Sequence, residues 1–96
     1  MQAIQITGSG ASITTSGSSA SVAIPNTASG TPPRYVLVTC TAAAYIRPGD
    51  SSVTASTTDI ILQPNYTLKL TIAGNTNLAA LQVSAAGKVN VMPVET

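Results

Sequence analysis

The chain predicts an all-β fold, a small antiparallel β-sandwich or jelly-roll-like barrel with an extended N-terminal arm. Three observations predict it. Short alternating segments recur at spacings of about 8–12 residues with turn residues between them, the pattern of sandwiches and barrels. The apolar residues are mainly Ala, Val, Ile and Leu set among Ser and Thr, with no Phe, no Trp and three Tyr in 96 residues. No stretch sustains a helical period, and the Ala-rich pieces are short and diluted by β-branched neighbours.

The elements follow in order. Ile4-Gln5-Ile6 and Val22-Ala23-Ile24 alternate with period two, which predicts strands over 3–7 and 20–25. Between them 11–15 reads as a further strand around Ile13, with Gly8-Ser9-Gly10 and Ser16-Gly17-Ser18 as turns. The rest of this stretch is Gly, Ser, Ala and Thr, the composition of a flexible segment. Residues 1–24 therefore read as an arm with weak strands and isolated Ile anchors. Residues 25–33 hold Pro25, Pro32 and Pro33, which cannot donate ladder hydrogen bonds, so this segment is a loop.

Residues 34–96 form the predicted sandwich body. Tyr35 to Thr41 is apolar enough for burial on both faces. Ala43 to Arg47 is the next strand, turned by Pro48-Gly49-Asp50. Val53 to Ala55 is a short extended piece, and Asp59 to Leu62 a strand closed by Gln63-Pro64-Asn65. Thr67 to Ile72 alternates strictly, with Leu68, Leu70 and Ile72 on one face and Lys69 on the other as a solvent-side gatekeeper. Leu78 to Val83 could open as a helical turn, but Gln82-Val83-Ser84 continues the alternation and favours a strand. Val89 to Val94 closes the chain after a turn at 85–88.

Composition excludes several function classes. There is no His, one Cys, four basic and three acidic residues, and a net charge of +1. Acid–base and nucleophilic catalysis draw on His, Cys, Lys or paired carboxylates, so the chain predicts no enzyme. A nucleic-acid interface needs a basic stripe, and none exists. No run approaches the roughly 20 apolar residues of a membrane span. The N-terminus lacks the basic and apolar regions of a secretion signal, so Asn65-Tyr66-Thr67 carries little weight as a glycosylation acceptor. Cys40, inside an apolar run, reads as a small buried hydrophobe.

The remaining motifs point to no cofactor. Gly8-Ser9-Gly10 lacks the G-x-G-x-x-G spacing of a nucleotide fold, and no Cys/His set exists for zinc. Asp50 and Asp59 stand apart, whereas a calcium site needs several converging oxygens. Asp50 is a natural turn residue after Pro-Gly. Arg34 and Arg47 lie beside prolines at loop edges, where an arginine either solubilises an edge or grips a partner carboxylate. The Thr pairs share no fixed period, which argues against an ice-binding ladder. A short chain without large aromatic rings gains by burying surface against copies of itself, which predicts a homo-oligomer.

Several stretches resemble the small virion proteins of tailed bacteriophages. The string Ala44-Tyr45-Ile46-Arg47-Pro48-Gly49-Asp50-Ser51-Ser52-Val53-Thr54-Ala55 is similar to one stretch of them, and Asp59-Ile60-Ile61-Leu62-Gln63-Pro64-Asn65 to the stretch that follows. Ile72-Ala73-Gly74, Leu78-Ala79-Ala80-Leu81-Gln82 and Gly87 to Pro93 resemble their closing portion. The likeness spans residues 34–94, is a pattern of turns and strands, and contains no catalytic signature.

The resemblance implies a β-sandwich or jelly-roll domain of the capsid decoration, or cement, type. Such a protein is made in the bacterial cytoplasm and carried on the capsid surface, where it binds the major capsid protein and itself, here expected as a trimer. Ile4, Ile6 and Ile13 of the arm and Arg34 and Arg47 of the loops are the expected contacts. The alternative function is a receptor- or glycan-binding module of a fibre or tail tip, which would expose tyrosines beside a saccharide pocket.

Overall fold

The computed structural model describes residues 5–95, and these fold as a β-sandwich with no helix among them. The strands are β1 (Gln5–Ile6), β2 (Ala11–Thr14), β3 (Ala20–Ala23), β4 (Tyr35–Cys40), β5 (Ala44–Gly49), β6 (Ile60–Leu62), β7 (Leu68–Thr71), β8 (Asn77–Gln82) and β9 (Lys88–Glu95). One sheet runs β1-β9-β4-β7, with β2 also on β9; the other runs β3-β8-β5-β6. The all-β sandwich read from the sequence is the fold observed.

Every pairing is antiparallel, and the order is nested. β5 pairs with β6, β4 with β7, β3 with β8, and both β1 and β2 with β9. The chain thus doubles back once, as one long hairpin with its tip between β5 and β6. That hairpin is then folded so that β4 also pairs with β9 and β5 with β8.

The period-two pattern assigns the faces. Ile13, Val36, Val38, Val89 and Val91 point inward from the first sheet, and Ala44, Ile46, Leu62, Leu78 and Ala80 from the second; all are buried in one cluster. Leu68, Leu70, Ala20 and Val22 pack against its margins. Two sheets pack about 10 Å apart, and with short Val and Ala side chains between them the molecule is only 19 Å through its shortest dimension.

The expected arm is not detached in the described residues. β2 pairs with β9 from Ala11↔Val91 to Thr14↔Lys88, and β3 pairs with β8 from Ala20↔Ala80 to Ala23↔Asn77. Ile13 is 3% exposed. The radius of gyration, 12.4 Å, is close to the roughly 12.5 Å of a compact chain of this length, in keeping with an arm that lies on the sheets over the described residues. The reason is physical: an edge strand on β9 needs one inward Ile and small outward residues, and such a strand has the composition of a linker.

Thr15 locks the segment in place. Its N–H donates to the Gly87 carbonyl at 2.8 Å. Its buried hydroxyl accepts from the Gly87 N–H at 2.8 Å and donates to the Gly87 carbonyl at 3.1 Å.

β5 runs two residues past its expected end, through Pro48 and Gly49. The Val83 N–H donates to the Ala43 carbonyl at 3.2 Å. From that bonded pair the antiparallel alternation makes Tyr45·Leu81, Arg47·Ala79 and Gly49·Asn77 the bonded pairs on the β8 side. Pro48 therefore turns its nitrogen toward the β6 side, where β6 has already ended opposite Ile46. A proline fits there because no ladder bond is asked of it.

Candidate functional site

The five residues expected to touch a partner are not gathered in one place. Ile4 lies outside the described residues. Ile6 is 61% exposed on the edge strand β1. It pairs with Val94, which pairs in turn with Tyr35. Arg34 precedes Tyr35 and is exposed, so Ile6 and Arg34 share one end of the first sheet. Its backbone is fixed there, since the Arg34 carbonyl accepts from the Ile72 N–H at 3.0 Å.

Ile13 requires correction as a contact, whereas Arg47 stays exposed but is paired within the chain. Ile13 faces the core and reaches a partner only if the sandwich opens, because alternation along Ala11–Thr14 turns it inward. Arg47 lies on the outer face of the second sheet and has a partner within the chain. Its Nη1 donates to Asp59 Oδ1 at 3.2 Å. The Asp59 carboxylate also accepts from the Ser56 N–H at 2.8 Å, so the pair fastens the turn that leads into β6.

The end of the first sheet that holds Ile6 also holds a concavity of about 660 Å³, between β1 and the loop of residues 27–31. Gln5, Thr7, Thr27, Ser29, Thr31 and Glu95 supply its polar lining. The hydroxyls of Ser29 and Thr31 each sit 2.9 Å from that of Thr27 and so satisfy one another. Gly30, at φ +87°, allows the loop to turn, a conformation open to glycine without steric cost.

Sequence reasoning missed a second surface. Ile60 and Ile61 are 58% and 45% exposed, and Tyr66 is 69% exposed. Ile61, Leu62, Tyr66 and Leu68 help line a small cleft of about 140 Å³ between β6 and the start of β7. Asp59 to Leu62 reads from the sequence only as a strand, with nothing to place it at a sheet edge. Only Leu62 is buried, because β6 is the last strand of its sheet. The available signal was the run's short length beside Pro64-Asn65.

The outer face of the first sheet is also partly apolar. Leu37 stands opposite Lys69 on one side and Met92 on the other. Lys69 reaches over the neighbouring ring, with Nζ 4.5 Å from the centre of Tyr35.

The titratable groups are shaped by local structure. The Ser52 hydroxyl and N–H, at 2.7 and 2.9 Å from Asp50 Oδ1, hold the Asp50 carboxyl below its ordinary range. Burial pushes the Cys40 thiol up, and its Sγ donates to the Leu62 carbonyl at 3.4 Å across the two sheets. Among the described residues no three His, Cys, Asp or Glu side chains converge on a metal-sized site, and no helix is long and apolar enough to cross a membrane. Comparison with protein-family models, curated proteins and solved structures finds no match for this chain.

Proposed function

We propose that this chain is a decoration protein of a tailed bacteriophage, made in the host cytoplasm and carried on the capsid surface, where it binds the major capsid protein and strengthens capsomer junctions. The nested strand order carries the reading. Pairing of β2 with β9, β3 with β8, β4 with β7 and β5 with β6, folded into two facing sheets, is the winding expected of a jelly roll. That architecture recurs in viral capsid and lectin domains. The stretches that resemble phage virion proteins fall on β5, β6, β8 and β9 and on the turns beside them.

The mechanism is passive. Each bound copy adds buried area to the assembled shell and none to its dispersed subunits, so binding shifts the equilibrium toward the shell by mass action. Many weak sites acting on one particle multiply the effect. The exposed Ile6 and Arg34 end of the first sheet supplies an apolar contact and a bidentate donor for a capsid carboxylate. The saccharide alternative is less well served. Tyr66 precedes β7, whereas the hydroxyl-lined concavity lies beyond the other end of that strand, so ring and hydroxyls do not form one pocket.

Particles with and without the protein, challenged by heat and by low ionic strength, test the proposal. Loss of intact particles when the protein is missing, restored by adding it back, is the expected result. Equal survival in both preparations overturns it.

A further inference from the structure

We propose that two copies of this chain join edge to edge through β6, in antiparallel pairing about a two-fold axis at Ile61. The inference does not depend on the capsid reading and is tested without a virus particle.

The backbone makes the first argument. β6 pairs with β5 through Ala44↔Leu62, Tyr45↔Ile61 and Ile46↔Ile60. Tyr45 bonds toward β8, on the alternation that starts at Ala43·Val83. Ala44·Leu62 and Ile46·Ile60 are then the bonded pairs on the β6 side, and Ile61 turns its N–H and C=O outward. No strand lies beyond β6 among the described residues. Ile61 thus presents one donor and one acceptor on the open side, the requirement for a bonded pair with its own copy.

The side chains make the second. Sheet edges are usually guarded by charge, proline or irregularity. β7 carries Lys69, and the β1–β2 edge is interrupted at residues 7–10. The two edges of the second sheet, β3 and β6, both lack charge and proline, but β3 is Ala20-Ser21-Val22-Ala23, whereas β6 is Ile60-Ile61-Leu62. The adjacent Asp59 is occupied by Arg47 and Ser56. Exposed apolar groups flank the edge on both faces, with Ile60 toward the core side, Ile61 on the outer face and Tyr66 beside them.

The occupant that fits is a second β6. The matching strand must be uncharged, apolar on both faces and free in both backbone groups at its centre. Antiparallel pairing about Ile61 sets Ile61 against Ile61 of the second copy and Ile60 against its Leu62. An aromatic side chain buries about 150–250 Å², so Tyr66 at 69% exposure leaves on the order of 100–170 Å² to cover. With the two isoleucines the edge offers on the order of 300 Å² per copy, against roughly 800 Å² per partner in a stable interface. That makes the pair a weak one, formed at micromolar concentration, in which the main-chain hydrogen bonds between the two strands carry much of the contact. A two-fold pair takes the place of the trimer expected with the capsid-decoration resemblance, because a strand paired with its own copy is an isologous contact.

Sedimentation equilibrium of the whole chain from low to high micromolar concentration tests this, with far-ultraviolet circular dichroism as the check on folding. The wild-type chain is expected at twice its 9.6 kDa mass. Ile61→Lys places like charges directly opposite each other and is expected to weaken the pair by at least about tenfold with an unchanged β spectrum. If Ile61→Lys loses that spectrum, Tyr66→Ser takes its place, with a weakened pair expected. A monomeric wild type, a trimer, or a pair indifferent to the folded variant overturns the inference.

Discussion

Replacing Ile13 by Ala separates a strand of the sandwich from an arm that merely touches it. Ile13 is 3% exposed and belongs to the central apolar cluster. The substitution removes three carbons, worth about 2.4 kcal/mol at ~0.8 kcal/mol each. A cavity term adds to this wherever the neighbours do not collapse, and Ile→Ala changes in cores cost about 2–5 kcal/mol. Val89, its partner across the strands, is held between β2 and β4, which limits collapse. The expected loss is therefore about 3 kcal/mol, a large part of the roughly 5–14 kcal/mol available to a domain of this size. Urea denaturation monitored by circular dichroism measures it, and the midpoint of thermal unfolding is expected to fall by about 12–24 °C. Ile6→Ala, at a mostly exposed position, is expected to cost less than about 1 kcal/mol. A loss below about 1 kcal/mol for Ile13→Ala would show that residues 11–14 do not contribute to the core.

Three further outcomes follow from local geometry. Thr15→Val deprives the part-buried Gly87 N–H of its hydroxyl acceptor and is expected to cost about 1–3 kcal/mol in urea denaturation, while Thr15→Ser keeps most of the stability. Ala73 sits at φ +50°; Ala73→Gly relieves about 1–2 kcal/mol of left-handed strain against a glycine entropy cost of about 0.5–1 kcal/mol, so thermal unfolding is expected to shift slightly upward. The Asp50 carboxyl is held below its ordinary value of 3.8 by the Ser52 hydroxyl and N–H. Its folded-state value being the lower, its contribution is present above 3.8 and lost as pH falls through the folded value. A nuclear magnetic resonance titration is expected to place its midpoint below 3.8, and Asp50→Asn to flatten the acid limb of stability against pH.

What the sequence makes legible depends on where each strand sits. β7 carries Leu68 and Leu70, and β9 Val89 and Val91, at alternate positions, so their faces can be read directly. β2 and β3 carry single apolar anchors in Ser, Ala and Thr, and a half-buried edge strand of that kind has the composition of a linker. Val53 to Ala55, expected to be extended, joins no sheet; Ala55 is instead buried by a loop contact, its N–H donating to the Ser19 hydroxyl at 2.8 Å. Pro48 reads as a turn because sequence cannot show that the neighbouring strand stops before reaching it. The surface was harder still. Arg47 has the pattern of a free edge charge until the fold sets Asp59 beside it. Ile60 and Ile61 have the pattern of core until β6 proves to be a sheet edge.

The nesting of strands also orders the folding reaction. β5 and β6 pair closest in sequence, from Ile46↔Ile60 to Ala44↔Leu62, whereas β2 and β9 join opposite ends of the chain. Loop-closure entropy favours the near pairing first, and each inner pair shortens the loop that the next must close. The tip is therefore expected to be structured in the transition state and the β2·β9 seam to form after it. Ile46→Val, a loss of about 0.5–1.5 kcal/mol, is then expected to act mainly by slowing folding, and Ile13→Ala mainly by speeding unfolding. Stopped-flow chevrons measure both limbs. The reverse assignment, with Ile13 governing the folding limb, would mean that the chain termini meet first and that the hairpin does not grow from its tip. With the expected order, the unguarded Ile60-Ile61 edge is exposed from the earliest stage of folding. A second copy that covers it removes a hazard which no residue within β6 guards against.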